Sequence, residues 1–159
     1  RVFLRPDHVR AYPGAVRAIL DADLIIAGPG SLFTSILPNL LVKDIRQAVA
    51  ASKALKVYVC NVATQPGETD GLDVGQHVRA LEDHAGCGLF PYVMANNNMI
   101  PSLEQPHLQP VNLEYAQNGG YRVIEADLID QTAPWRHDAK KLADRMLGLY
   151  ASWRESAGG

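Results

Sequence analysis

Residues Leu24–Asn39 read LIIAGPGSLFTSILPN, and the fold turns on how that stretch is read. An unbroken apolar run, Leu24–Ala27, stops at Gly28-Pro29-Gly30-Ser31, and apolar residues at helical spacing follow at once. Strand, glycine turn and helix start are the opening of a βα unit. The unbroken run suits a strand covered on both faces of a parallel sheet. The turn carries backbone N–H groups into a helix start, where the helix dipole favours an oxyanion. Ser31 is placed to cap that helix, and Thr34 and Ser35 add two hydroxyls in its first turns. Neither standard nucleotide motif is present. A P-loop needs Lys-Ser/Thr after its last glycine, where this chain has Leu32-Phe33, and a dinucleotide fingerprint wants glycine where Phe33 stands. The turn is either an anion cradle or a tight connection whose glycines only permit the bend.

Outward from this stretch the pattern alternates. Arg1–Leu4 reads as a strand, Pro13-Gly14 opens a helix over Ala15–Ala22, and a helix from Ser31 to Leu41 must kink or end at Pro38. Asp44–Lys53 is amphipathic. Lys56–Cys60 is a strand rich in β-branched and aromatic residues. Asp73 caps a helix to His84, with Val74, Val78 and Leu81 on one face. Leu89–Ala95 and Tyr121–Leu128 are further strands, and Asp138–Trp153 is a final helix capped by Asp138. Residues 99–113 hold three prolines without periodicity and read as an irregular connection; 154–159 reads as a frayed tail.

Strands separated by helices mean βαβ units, a parallel sheet and right-handed crossovers. Loops leaving such strands emerge at one edge, where open α/β proteins bind ligands. Gly28–Ser31, Asn61–Asp70 and Asn96–Asn98 should therefore meet there. In the second loop, NVATQPGETD, Asn61, Gln65 and Thr69 suit hydrogen bonding to a polar ligand. Glu68 and Asp70 are either Mg²⁺ ligands beside substrate phosphates or solvated acids of a Pro-Gly turn. Arg136 either reaches a phosphate or carboxylate or stays in solvent. His77 and His84 lack partners at zinc-ligand spacing and read as helix-surface or helix-packing residues, as Trp135 and Trp153 read as core or interface aromatics. No Gly-x-Ser-x-Gly elbow supports a serine hydrolase.

Composition bounds the rest. The 159 residues suffice for one domain with a real core, and 47% hydrophobic with 20% charged residues fits an ordinary globular chain. A net charge of −2 without charge blocks gives no electrostatic case for nucleic acid. No apolar run reaches the roughly 20 residues of a membrane span, and no secretory signal opens the chain. Cys60 and Cys87 read as reduced thiols of a cytoplasmic protein. The chain opens at Arg1 without an initiator Met, which reads as part of something longer.

The motifs ADLIIAGPGSLFTSILPNLLV, KVYVCNVATQPGETDG and HVRALEDHAG together resemble the YvcK family of gluconeogenesis factors, within the wider CofD-like superfamily. The likeness runs from Val2 to the final helix. It implies a Rossmann-like α/β parallel sheet with flanking helices, with residues 1–159 a single segment forming the C-terminal half of a larger domain. The N-terminal half of such proteins carries a Gly-Gly-Gly-Thr-Gly loop. By resemblance Gly28, Pro29, Gly30, Ser31, Thr34 and Ser35 form a second wall of a nucleotide-sugar site. Asn61, Gln65, Glu68, Thr69, Asp70 and Arg136 join them. The resemblance implies a regulatory protein without an established reaction, hence no catalytic residue and no fixed metal. Its ligand would be a UDP-sugar such as UDP-N-acetylglucosamine, and its role cell shape and cell-wall synthesis on gluconeogenic carbon sources. A homo-oligomer and a cell-wall regulatory protein partner are the implied associations, with neither nucleic acid nor membrane. Ala139 stands where some relatives carry a phosphorylatable threonine. The alternative is a 2-phospho-L-lactate transferase of CofD type, moving a phospholactyl group from a nucleotide carrier to a deazaflavin, with Glu68 or Asp70 helping to hold Mg²⁺. Against it, the transferases tend to carry a Gly-Pro-Ser-Asn-Pro-like turn where this chain has Gly28-Pro29-Gly30-Ser31-Leu32.

Overall fold

The computed structural model describes residues 2–99 and 108–157. Four parallel strands in sequential order make the sheet: β1 (Leu24–Ala27), β2 (Leu55–Val59), β3 (Tyr92–Asn96) and β4 (Arg122–Ala126). Registers run Leu24 beside Leu55, Tyr58 beside Val93 and Val93 beside Val123. This is the expected α/β parallel sheet with flanking helices. The helices are α1 (Pro13–Leu20), α2 (Leu37–Leu41), α3 (Lys43–Ala51), α4 (Val74–Ala85) and α5 (Ala139–Ala157), and β5 (Ile129–Asp130) pairs antiparallel with β6 (Ala133–His137).

The alternation of side chains along β2 divides the core. Tyr58 and Cys60 pack with Leu37 and Leu40 of α2 and with Val74, Val78 and Leu81 of α4. Leu55, Val57 and Val59 face the other way, toward Met146 of α5 and Leu128. With both faces covered, β2 is apolar at nearly every position, as a central parallel strand must be.

β1 behaves otherwise. Its run was expected to be buried on both faces, yet Ile26 is 46% exposed. β1 is an edge strand of this sheet, and α5 does not close over it, so Ile26 opens onto an apolar groove with Leu142 and Leu147. An apolar run reports the hydrophobicity of a strand, not how many neighbours it has.

Several boundaries move for local reasons. Val2–Leu4, expected as a strand, has no regular structure. The helix after the glycine turn begins as a π-helical turn, Leu32–Ile36, in which the Ser35 and Ile36 amides both donate to the Ser31 carbonyl. Pro38 then sits in the first turn of α2, where its missing N–H costs nothing. Asp73 caps α4 as expected, accepting from Gln76 N at 2.6 Å while Gln76 Oε1 accepts from Asp73 N at 3.0 Å, a capping box. Asp138 Oδ1 accepts from Lys141 N at 2.9 Å at the start of α5, and Lys141 Nζ pairs with Asp127 at 2.7 Å. That helix continues through Ala157, so residues 154–157 are helical rather than a frayed tail. Residues 100–107 of the expected irregular connection lie outside the described residues; 108–113 follow without helix, with Pro110 bridged to Ala63.

His77 lies wholly inside the α4 packing, as its sequence position suggested. Its Nδ1 donates to the Asp73 carbonyl at 2.8 Å, and its Nε2 has no partner among the described residues. Burial pushes its pKa below the ordinary 6.5. The unfolded chain therefore takes up the proton first as pH falls. The contribution is fully present above pH 6.5 and is lost as pH drops below that value toward the depressed folded pKa. Urea midpoints measured from pH 7.5 to 5 should decline below about 6.5, and His77→Leu should flatten the decline. A wild-type midpoint constant over that range would contradict a neutral buried His77.

Candidate functional site

The sheet directs the loops leaving β1 and β2 to one edge. There they enclose a cavity of about 430 Å³, lined among others by Gly30, Ser31, Asn61, Gln65, Glu68, Trp135 and His137. That volume is in the range of small-molecule sites.

A single contact couples the two loops. Ser31 Oγ donates to Glu68 Oε2 at 2.5 Å while accepting from Thr34 N at 3.0 Å and Thr34 Oγ1 at 2.6 Å. These bonds use the whole capacity of the hydroxyl, so Ser31 both caps the helix and clamps the glycine turn to the Gln65–Asp70 loop. The clamp leaves Gly30 on the cavity wall.

The second loop is held from inside. Thr69 is fully buried, and its Oγ1 accepts from Gln65 N at 2.8 Å. Asp70 Oδ2 accepts from Gly67 N at 2.6 Å, and Asn61 Nδ2 donates to Gln65 Oε1 at 3.3 Å. Asn61, Gln65 and Glu68 face the cavity, whereas Thr69 and Asp70 shape the turn that presents them.

The remaining sequence candidates lie around this cavity rather than in its wall. Gly28 and Pro29 border the apolar groove beside α5. Thr34 and Ser35 are exposed on the helix behind Ser31. Arg136 is exposed and has no hydrogen-bond or ion-pair partner among the described residues. The alternation of β6 explains its position: Trp135 and His137, either side of it, point into the cavity.

Those two residues were missed as site residues. Pro134 inside the segment argues against a strand, and no glycine marks the β5–β6 turn, so the hairpin gives no clear sequence signal. The alternation of Trp135 and His137 about a polar Arg136 was the one trace of it. The cavity is also bordered by Leu108, since Thr64 N donates to the Gln109 carbonyl at 2.7 Å and Val111 N to the Val62 carbonyl at 3.1 Å. Beneath it Cys60 is buried, its thiol pushed up to about 12 by desolvation. Cys60 is thus an inert core residue rather than a nucleophile.

Glu68 is the one carboxylate on the wall and already accepts from Ser31, while Asp70 is turned to Gly67. No group of three or more His, Cys, Asp or Glu side chains gathers among the described residues.

Comparison with known proteins agrees with this architecture. The family model described as 2-phospho-L-lactate transferase CofD matches residues 1–129. The chain belongs to the CofD-like family. Curated proteins similar to it include gluconeogenesis factors. A putative gluconeogenesis factor of Thermoanaerobacterium thermosulfurigenes is 46% identical, over 94% of this chain and 48% of that protein. The gluconeogenesis factor of Bacillus subtilis is 41% identical, over 94% of this chain and 50% of that protein. A crystal structure of a UPF0052 family member from Bacillus halodurans superposes with a TM-score of 0.84 at 36% identity, covering 92% of this chain and 50% of that one. The chain thus spans about half the length of the CofD-like relatives it matches. No helix among the described residues is long and apolar enough to cross a membrane.

Proposed function

We propose that this chain forms one wall of a nucleotide-sugar site in a regulatory protein of the gluconeogenesis-factor type, with UDP-N-acetylglucosamine as the ligand. The observation that carries this reading is the Ser31–Glu68 clamp, which makes the glycine turn and the Gln65 loop into two sides of one cavity. Phosphate oxygens would approach the N–H groups at Gly30 and the helix start beyond it. Asn61 and Gln65 would meet polar groups of the ligand, and Trp135 offers a ring an apolar surface. The proposed role is control of cell shape and cell-wall synthesis on gluconeogenic carbon, in the cytoplasm, as a homo-oligomer engaging a regulatory protein partner.

The matched family description supports a second reading, phospholactyl transfer. That reaction calls for Mg²⁺ beside the phosphates, for which the wall offers one carboxylate, Glu68, already accepting from Ser31. Calorimetric titration separates the two. Saturable heat is expected with UDP-N-acetylglucosamine and none with GDP and Mg²⁺; the reverse pattern would overturn the regulatory reading. Arg136, an exposed guanidinium without a partner among the described residues, flanks Trp135 and His137 on β6 and would reach a ligand phosphate at the cavity rim. Arg136→Ala should weaken UDP-sugar binding by about 1–3 kcal/mol, and an unchanged Kd would leave that side chain in solvent.

A further inference from the structure

The cavity carries one residue whose chemistry the phosphate-binding reading does not use. His137, the last residue of β6, lines the wall and is fixed by a single contact: its Nε2 lies 3.2 Å from the Cys60 carbonyl oxygen. A carbonyl only accepts, so Nε2 carries the hydrogen and donates it. In the neutral ring the second nitrogen, Nδ1, is then a bare acceptor. Burial depresses the His137 pKa, which keeps the ring neutral at physiological pH. Nδ1 has no partner among the described residues.

Two groups on the cavity wall therefore have opposite hydrogen-bonding character. The glycine turn presents donors suited to an anion, whereas His137 presents an acceptor, and Glu68 is the one other ionisable group on the wall. A phosphate placed against His137 would set lone pair against lone pair. A ligand O–H or N–H is the group that matches the neutral ring there.

We infer that His137 is a specificity residue, whose Nδ1 accepts a hydrogen bond from a hydroxyl or amide N–H of a phosphate-bearing, ring-containing ligand. Trp135, two residues earlier on the same strand and on the same wall, offers the adjoining ring its apolar face. The inference rests on the nucleotide-sugar reading of the cavity. It adds polarity to that reading: phosphate toward Gly30, donor-bearing ring toward β6.

The test uses UDP-N-acetylglucosamine as the probe, titrated into the full-length protein as wild type, His137→Phe and His137→Asn. His137→Phe keeps the ring volume and removes both nitrogens, and should raise Kd about tenfold. His137→Asn places Oδ1 where Nδ1 stood and should recover most of that loss, which a purely structural role would not predict. Long-range ¹H–¹⁵N spectra of the wild type give a readout free of mutation. They should show His137 protonated at Nε2 alone, with the Nδ1 resonance moving on ligand addition. Wild-type binding with equal Kd in His137→Phe, or a proton on Nδ1, would overturn the inference while leaving the site intact. Failure of wild type to bind the UDP-sugar at all would overturn the nucleotide-sugar reading, and this inference with it.

Discussion

Gly30→Val should abolish UDP-sugar binding while leaving the protein folded. Gly30 stands on the cavity wall, at the point where the turn offers its backbone to a ligand. The fold itself tolerates a side chain there. A Cβ at Gly30 would meet only Ser35, at 3.4 Å from Cβ and 3.9 Å from Oγ, ordinary contact distances, and its backbone does not lie in the left-handed region. The valine branches would instead fill the space a phosphate must enter to reach the N–H groups. Loss of that approach should weaken binding at least about a hundredfold, or roughly 2.7 kcal/mol. Titration calorimetry measures the loss, and far-UV circular dichroism together with a melting curve shows the fold retained. Wild-type affinity in this variant would remove the glycine turn from the site, and the cavity would then have to bind through its Asn61–Gln65 side alone.

The same stretch shows which features a sequence carries. Leu24–Ala27 followed by Gly28–Ser31 was readable as strand and turn because strand periodicity and glycine punctuation agree there. Asp73 with Gln76 was readable as a helix start because a capping box is a local device that needs no tertiary context. What the sequence withheld depends on neighbours. The exposure of Ile26 follows from α5 not closing over it among the described residues, which no property of Leu24–Ala27 encodes. In the π-helical turn two amides share the Ser31 carbonyl, which no apolar periodicity of Leu32–Ile36 announces.

Site residues divide along the same line. Their loops at the sheet edge, and then the resemblance, supplied Gly30, Ser31, Asn61, Gln65 and Glu68, and the cavity gathers these five. They also supplied Thr69 and Asp70, whose side chains hold the loop in shape. A motif marks residues kept for presenting a ligand-facing group as readily as the group itself. Trp135 and His137 were invisible because their hairpin contains Pro134 and lacks a turn glycine, and only the pairing of Ile129 with His137 turns them toward the cavity.

Gly28→Ala should do the opposite of Gly30→Val, costing stability first. Gly28 has φ +96°, a conformation that an L-residue adopts only at a cost, and its Cβ would stand 2.9 Å from the Val59 carbonyl oxygen and 3.3 Å from Ile36 Cδ1. The carbonyl belongs to the end of a central strand and cannot step aside as a flexible side chain would. Backbone strain of about 1–3 kcal/mol and overpacking of similar size should together cost roughly 2–6 kcal/mol. For a chain of this length that lowers Tm by roughly 4–24 °C. Gly120→Ala is the matched control. Gly120 also has positive φ, +78°, but a Cβ there meets nothing within 4 Å, so it should cost only the backbone share. Thermal melts of the two variants therefore isolate the close approach of the turn to β2. Equal losses would mean that the Val59 carbonyl yields. A much larger loss at Gly28 would mean that the turn is held to the sheet by direct backbone contact, a rigid base for the Ser31 clamp and for the Gly30 wall beyond it.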